Sequence, residues 1–117
     1  MAKPQLDPGE NLIGNWTIVY KPPAGGMYNG KLYVTDKRLL YDAKFDMTVK
    51  GVIEEVFFLI IGSHEYLVLP KDRIKDVLTK STFLKKQIFI IMDNDEEHIF
   101  DYGMLSIKKI AEAINQK

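Results

Sequence analysis

Residues 30–41 constrain the fold more than any other part of the chain, and they read Gly-Lys-Leu-Tyr-Val-Thr-Asp-Lys-Arg-Leu-Leu-Tyr. Two strand-forming runs flank Asp36 and Lys37, which predicts a β-hairpin with a two-residue turn. The predicted cross-strand pairs are Thr35 with Arg38, Val34 with Leu39, Tyr33 with Leu40 and Leu32 with Tyr41. One hairpin face is then apolar and turned inward, whereas the mixed face of Tyr33, Thr35, Arg38 and Leu40 is expected outside.

The rest of the chain predicts further strands and one helix. Residues 11–20 predict the first strand, because the last five alternate as a half-buried strand does, and the Pro-Pro-Ala-Gly-Gly run at 22–26 ends it in an exposed loop. Apolar runs predict later strands near residues 56–61, 65–70, 73–79, 87–92 and 97–102. After Gly103, helical spacing predicts an amphipathic helix whose apolar face carries Met104, Ile107, Ile110, Ala111 and Ile114.

Length and composition set outer limits on the class of protein. The 117 residues suit one domain, which we place at residues 10–117 after a short leader at 1–9. Sixteen basic and sixteen acidic residues cancel, so no overall field attracts nucleic acid or an anionic bilayer. The chain has no cysteine, which removes disulfides, thiolate metal sites and a cysteine nucleophile, and favours a cytoplasmic protein.

The hairpin motif, the strand order and the terminal helix together resemble the GRAM family, within the pleckstrin-homology-like superfold. A second match is the segment 69–77, Leu-Pro-Lys-Asp-Arg-Ile-Lys-Asp-Val, and the resemblance spans about residues 10–115. It implies a mainly β fold with one C-terminal α-helix, a partly open antiparallel barrel whose end the helix plugs. It also implies binding of phosphoinositides, other lipids or protein segments without catalysis.

The resemblance implies a lipid site in the loop between the first two strands. Lys21 and Lys31 are expected at the two ends of this loop, where they could hold a phosphate while Met27 and Tyr28 enter the bilayer interface. The usual topology would place the acidic residues of segment 93–97 at the same end of the barrel, and like charge there opposes headgroup binding. The plainer interpretation is that both lysines are solvated strand ends.

The apolar run at 56–61, Val-Phe-Phe-Leu-Ile-Ile, predicts a contact surface. Six consecutive apolar side chains cannot all face inward from a one-sided strand, so another element, a second chain or lipid must cover some of them. We expect a protein contact through Val56, Phe57, Phe58 and Ile60. The run is far shorter than the roughly 20 residues of a membrane-spanning helix.

The remaining motifs argue against catalysis. His64 and His98 have no accompanying nucleophile or ligand spacing, and Ser63, His64 and Glu65 are consecutive, which no triad geometry permits. The segment 93–97 lacks the glycine and distal glutamate of a calcium loop. Residues 71–86 are locally basic, but without a nucleic-acid motif.

We therefore predict a binding module without enzymatic activity, metal or cofactor. Its function would be protein interaction or self-association, and the alternative is peripheral binding of anionic lipid headgroups.

Overall fold

The computed structural model describes residues 6–23, 25–44, 58–61 and 64–116, with backbone alone for 43–44, 58–61 and 64–66. Its strands are β1 (Leu12–Lys21), β2 (Tyr28–Thr35), β3 (Arg38–Lys44), β4 (Phe58–Ile61), β5 (His64–Pro70), β6 (Ile74–Ser81), β7 (Lys86–Met92) and β8 (Glu97–Asp101). A short 3₁₀ turn (Lys71–Arg73) precedes β6, and one helix, α1 (Lys108–Asn115), follows β8. No helix among these described residues is long and apolar enough to span a membrane.

All eight described strands belong to one antiparallel sheet in the order β4-β5-β3-β2-β1-β8-β7-β6. The first strand joins the two halves of this sheet, because β1 pairs with β2 along its length and with β8 through Val19, Tyr20 and Lys21. The order leaves β4 and β6 at the two edges of the described sheet, so the barrel is partly open. The predicted fold class, mainly β with one C-terminal helix, is confirmed.

The hairpin at residues 30–41 has the predicted register. Leu32 pairs with Tyr41, Tyr33 with Leu40, and Val34 with Leu39. The inward face joins the main core, where Leu32, Val34, Leu39 and Tyr41 pack with side chains from β1, β5, β7 and β8. The predicted turn at Asp36 and Lys37 therefore aligns the strands that form the centre of the fold.

The opposite face of the same hairpin is not the exposed surface predicted for it. Tyr33, Leu40 and Thr35 are buried, and Leu6 packs against the first two from the N-terminal segment. Leu6, within the segment predicted as a short leader, thus packs on this face of the hairpin. A face that period-2 alternation assigns to solvent is covered by a chain segment more than twenty residues away.

The helix closes the core much as its spacing predicts. Ile107, Ile110 and Ile114 are buried in the main core, but Met104 is exposed because α1 begins only at Lys108. Lys71 holds the far end of the helix, since its Nζ donates hydrogen bonds to the carbonyl oxygens of Ala113 (2.9 Å) and Gln116. This contact places the end of α1 beside the start of β6.

Candidate functional site

The residues predicted to bind lipid lie at the end of β1, in the loop that follows it and in β2. Lys21 ends β1, and its Nζ lies 3.5 Å from a carboxylate oxygen of Asp101. Lys31 lies within β2 and pairs with Thr17, four residues before Lys21 on β1. That offset corresponds to about 13 Å along the strand, so Lys31 lies inside the sheet and not at the end of the loop as predicted.

Tyr28 cannot act as the membrane-facing side chain that the lipid prediction requires. It is only 2% exposed and belongs to the main core, where its ring stacks against Tyr20. The reason is that β2 begins at Tyr28 itself, with Tyr28 directly opposite Tyr20. Met27, one residue earlier in the loop, is exposed as expected.

The acidic connection lies at the end of the sheet that the usual topology predicts. Lys21 pairs with Ile99, two residues after β8 begins at Glu97. The loops at 22–27 and 93–96 therefore lie at the same end of the sheet. Arg73 and Lys75 neutralise part of this connection through ion pairs with Asp93 and Asp95. Both basic residues belong to the locally basic segment 71–86.

The predicted protein-contact residues lie partly outside the described chain. Val56 and Phe57 are outside the described residues, whereas Phe58 and Ile60 lie in β4 with backbone alone described. Phe58 pairs with Leu67, and Ile60 pairs with Glu65. The strand assignment is confirmed for 58–61 and puts this segment at an edge of the described sheet.

His98 is a buried core residue bound to a tyrosine. Its Nδ1 lies 2.6 Å from the hydroxyl oxygen of Tyr20, and its Nε2 lies 3.8 Å from a carboxylate oxygen of Glu96. Burial lowers the pKa of His98 to about 4, although the charge and hydrogen bond of Glu96 oppose this shift. The neutral ring therefore satisfies a buried hydroxyl, and within the described residues no group of three or more potential metal ligands accompanies it.

A groove runs between β6 and α1, and we call it the β6–α1 groove. One part is a cleft of about 680 Å³, lined among others by Thr79 and Ser81 from β6 and by Lys108 and Ala111 from α1. A second cleft of about 250 Å³ continues it along Ile74 and Val77. Asn115 and Gln116 line both clefts, so the two lie next to each other beside the strand.

The local sequence explains why the groove stays open. Every β6 residue is at least partly exposed, because the strand lies at the sheet edge and only Ile74 and Val77 pack against the core. Ala111 is a small side chain on the α1 face toward β6, which leaves room between helix and strand. The sequence predicts both β6 and α1, but not that they lie side by side. Its one indication of the groove is Ala111, a small residue within the helical pattern.

Comparison with known proteins supports the fold and gives no information on function. A solved structure described as the C-terminal domain of an unknown protein from Leishmania infantum matches with a TM-score of 0.64 and 12% identity, over 93% of this chain and 85% of that chain. At this identity the likeness shows the fold alone. No family model matches the chain, and no curated protein matches it.

Proposed function

We propose that this chain is a non-catalytic protein-interaction module, related to GRAM domains, which binds an extended peptide as an added strand along β6. The observation that carries the proposal is the position of β6 at the edge of the described sheet, directly beside an open groove. An edge strand presents unpaired N–H and C=O groups, and strand addition uses them as hydrogen-bond partners. The absence of cysteine favours a cytoplasmic setting.

The dimensions of the groove suit a short peptide. The eight residues of β6 extend about 26 Å at 3.3 Å per residue. In an added strand, alternate side chains would point toward α1, where Ala111, Ile107 and Met104 provide an apolar lining between polar groups. Backbone bonding would supply affinity, while the size of the cleft beside Ala111 would select the side chain that enters it.

Two alternatives have less support from the described residues. Lipid binding by the loop at 22–27 would use Lys21, which already pairs with Asp101. Tyr28 does not contribute to such a site, because it is buried in the core. Self-association through Phe58 and Ile60 at the β4 edge stays a prediction, since only the backbone of these residues is described.

A peptide-display selection followed by amide mapping tests the proposal. Peptides selected from a random library are titrated into ¹⁵N-labelled protein, and we expect the shifted amides to fall in 74–81 and 108–116. Ala111→Phe places a ring in the cleft and should weaken binding at least about tenfold, which is 1.4 kcal/mol. Lys37→Phe is the matched control, because it adds the same ring at the exposed β2–β3 turn.

Shifted amides confined to the loop at 22–27 or to residues 58–61 would contradict the proposal. So would Ala111→Phe and Lys37→Phe variants that bind the selected peptides equally well. Circular dichroism on both variants establishes that any loss of binding comes from the filled cleft and not from unfolding.

A further inference from the structure

The face of β6 turned away from α1 carries an acidic, an apolar and a basic side chain at two-residue spacing. The register with β7 shifts between Ile74 and Asp76, and the strand is regular from Asp76 onward. Asp76, Leu78 and Lys80 are exposed, whereas Val77 on the other face packs against the core. Leu78 is 48% exposed, although it is a large apolar residue within a strand.

Leu78 ends an apolar row that crosses three strands on this outer face. It pairs with Phe89 of β7, and Phe89 pairs with Ile99 of β8. Phe89 and Ile99 are half-buried, and neither belongs to a core cluster of the described residues. The row stops at β6, which is an edge of the sheet in the part of the chain that the structure describes. An added strand with an apolar residue opposite Leu78 would extend it.

The backbone of β6 indicates how a further strand would pair. The Val77 N–H donates to the Asp76 carboxylate at 2.9 Å, so it has a side-chain acceptor on its own strand and points to the free edge. Hydrogen-bonding direction alternates along a strand, so Val77 and Thr79 face the free edge and Leu78 faces β7. An added strand would therefore bond at Val77 and Thr79. Leu78 would form a non-hydrogen-bonded pair, in which side chains come closest.

Two-fold symmetry restricts the registers in which β6 can pair with the β6 of a second copy. The axis of such an antiparallel pair is perpendicular to the sheet, so opposed residues lie on the same face. An axis at Asp76 or Lys80 places like charges opposite each other. An axis at Val77 or Thr79 places a charge opposite Leu78. An axis at Leu78 places Asp76 of each copy opposite Lys80 of the other, and joins the two apolar rows end to end.

We infer that two copies of this chain pair antiparallel through β6, with Leu78 on the two-fold axis, and form one continuous sheet. A two-fold interface requires a surface that complements itself, and this register of β6 meets that requirement in charge and in apolar contact. On pairing, the Val77 N–H exchanges the Asp76 carboxylate for the Thr79 carbonyl of the second copy. The freed carboxylate meets the Lys80 ammonium of that copy.

The contact is one strand wide, so the dimer should be weak and its population should depend on concentration. The same edge is the one proposed above to bind a peptide, so a peptide and a second copy exclude each other there. Dimerisation does not require the groove, however, and the two activities can be tested separately.

Disulfide trapping tests the register. Because the chain has no cysteine, Leu78→Cys introduces a single thiol, and the two Cα atoms of a non-hydrogen-bonded pair lie about 4.5 Å apart, within reach of a disulfide. In a glutathione redox buffer, Leu78→Cys should link at least about tenfold faster than Met27→Cys, because pairing raises the effective concentration of the two thiols. Met27 is the matched control, since it is 53% exposed and lies in the loop before β2. Urea should remove the difference.

Charge variants test the contacts beside the axis. Lys80→Glu places two carboxylates opposite each other at both contacts, so the association constant from sedimentation equilibrium should fall at least about tenfold. Asp76→Lys with Lys80→Asp exchanges the charges and should restore association. Lys37→Glu makes the same charge change at the exposed β2–β3 turn and should leave association unchanged. Circular dichroism on each variant establishes that the fold persists.

Equal linking of the Leu78→Cys and Met27→Cys variants would overturn the inference. So would a Lys80→Glu variant that associates as strongly as the wild-type protein, or a dimer in sedimentation without linking at position 78, which would place the contact on another surface. Peptide-induced shifts of the β6 amides in a protein that stays monomeric would support the proposed function and overturn this inference alone. Linking at position 78 without any selected peptide would do the reverse.

Discussion

At the residue scale, one buried carboxylate connects the N-terminal segment to the sheet. Glu10 accepts hydrogen bonds from Thr35 Oγ1 at 2.6 Å, from Arg38 Nε at 2.9 Å and from Arg38 Nη2 at 3.1 Å. Burial alone raises the pKa of Glu10, but the bonds from Arg38, Thr35 and the Asp7 N–H, with the Arg38 charge, lower it below 4.5 in sum. The carboxylate is thus charged and fully partnered at neutral pH.

Replacing Arg38 should show how much stability is lost when the Glu10 carboxylate is buried without its ion pair. We expect Arg38→Met to lower the free energy of unfolding by about 3 kcal/mol at pH 7, because a buried charge is left without its ion pair. The Glu10 pKa is lower folded than unfolded, so the stability it contributes is present above pH 4.5 and is lost as pH falls through the folded value. Urea titrations at pH 7 and pH 3.5 check both points.

The double variant Glu10→Gln with Arg38→Met serves as the control for this pair. It removes the charge with its partner and should be more stable at pH 7 than Arg38→Met alone. Equal stability of the two variants would show that the Arg38 side chain acts through packing and not through the Glu10 charge.

His98 predicts a separate pH dependence. Its folded pKa of about 4 lies below the ordinary 6.5, so the unfolded chain takes up a proton that the folded chain excludes as pH falls below 6.5. We expect a loss of about 2 kcal/mol between pH 6.5 and pH 5 from this group. Urea midpoints across that range measure it, and Glu10 stays ionised there.

His98→Gln isolates this contribution, because an amide can still bond the Tyr20 hydroxyl but does not titrate. Its stability should change less than that of the wild type between pH 6.5 and pH 5. Parallel pH profiles for the two proteins would refute the assignment to His98.

At the scale of elements, the sequence predicts strand register and helix faces, but not which distant segment covers a given face. The β2–β3 register and the helix face at Ile107, Ile110 and Ile114 follow from periods of two and 3.6 residues, which the sequence displays directly. The burial of Tyr33 and Leu40 depends on Leu6, far away in sequence, so no local period contains it. The β6–α1 groove was missed for the same reason, because it joins two segments separated by the β7–β8 hairpin.

The position of β2 shows how one boundary alters a site. The sequence predicts a loop with Lys21 and Lys31 at its two ends, but β2 begins at Tyr28 and includes Lys31. Glycine and proline mark where a strand ends, whereas nothing in Met27 and Tyr28 marks where the next begins. Three residues of error in this boundary moved Tyr28 from the core to the expected membrane contact.

The covering segment yields a prediction at this scale. Leu6 packs on the second face of the hairpin, so Leu6→Asp should expose that face and lower the free energy of unfolding by about 2 kcal/mol. Met27→Asp makes the same substitution at an exposed loop residue and should have little effect. Urea denaturation compares them, and equal midpoints would show that the segment adds no stability.

At the scale of the whole molecule, zero net charge conceals a strong asymmetry. Residues 80–86 and 102–109, at one end of the sheet, contain five lysines without a carboxylate. The segment 93–97 contains four carboxylates without a basic residue, although Arg73 and Lys75 pair with two of them. The two regions lie at opposite ends of β7, separated by about 20 Å. Any charged surface will therefore meet the molecule in a preferred orientation, whatever its natural partner is.

This separation predicts how salt controls adsorption to an anionic surface. The Debye length is about 30 Å at 10 mM salt and about 10 Å at 100 mM, so the acidic segment opposes adsorption only in the first case. Asp93→Asn with Glu97→Gln should therefore strengthen binding to sulfonate beads at 10 mM and change it little at 100 mM. Lys80→Glu with Lys85→Glu should weaken binding at both salt concentrations, because these lysines contact the beads directly. If neutralising the acidic segment had the same effect at both concentrations, the acidic residues would have to lie beside the adsorbed face, and the opposed arrangement of the two ends would be wrong.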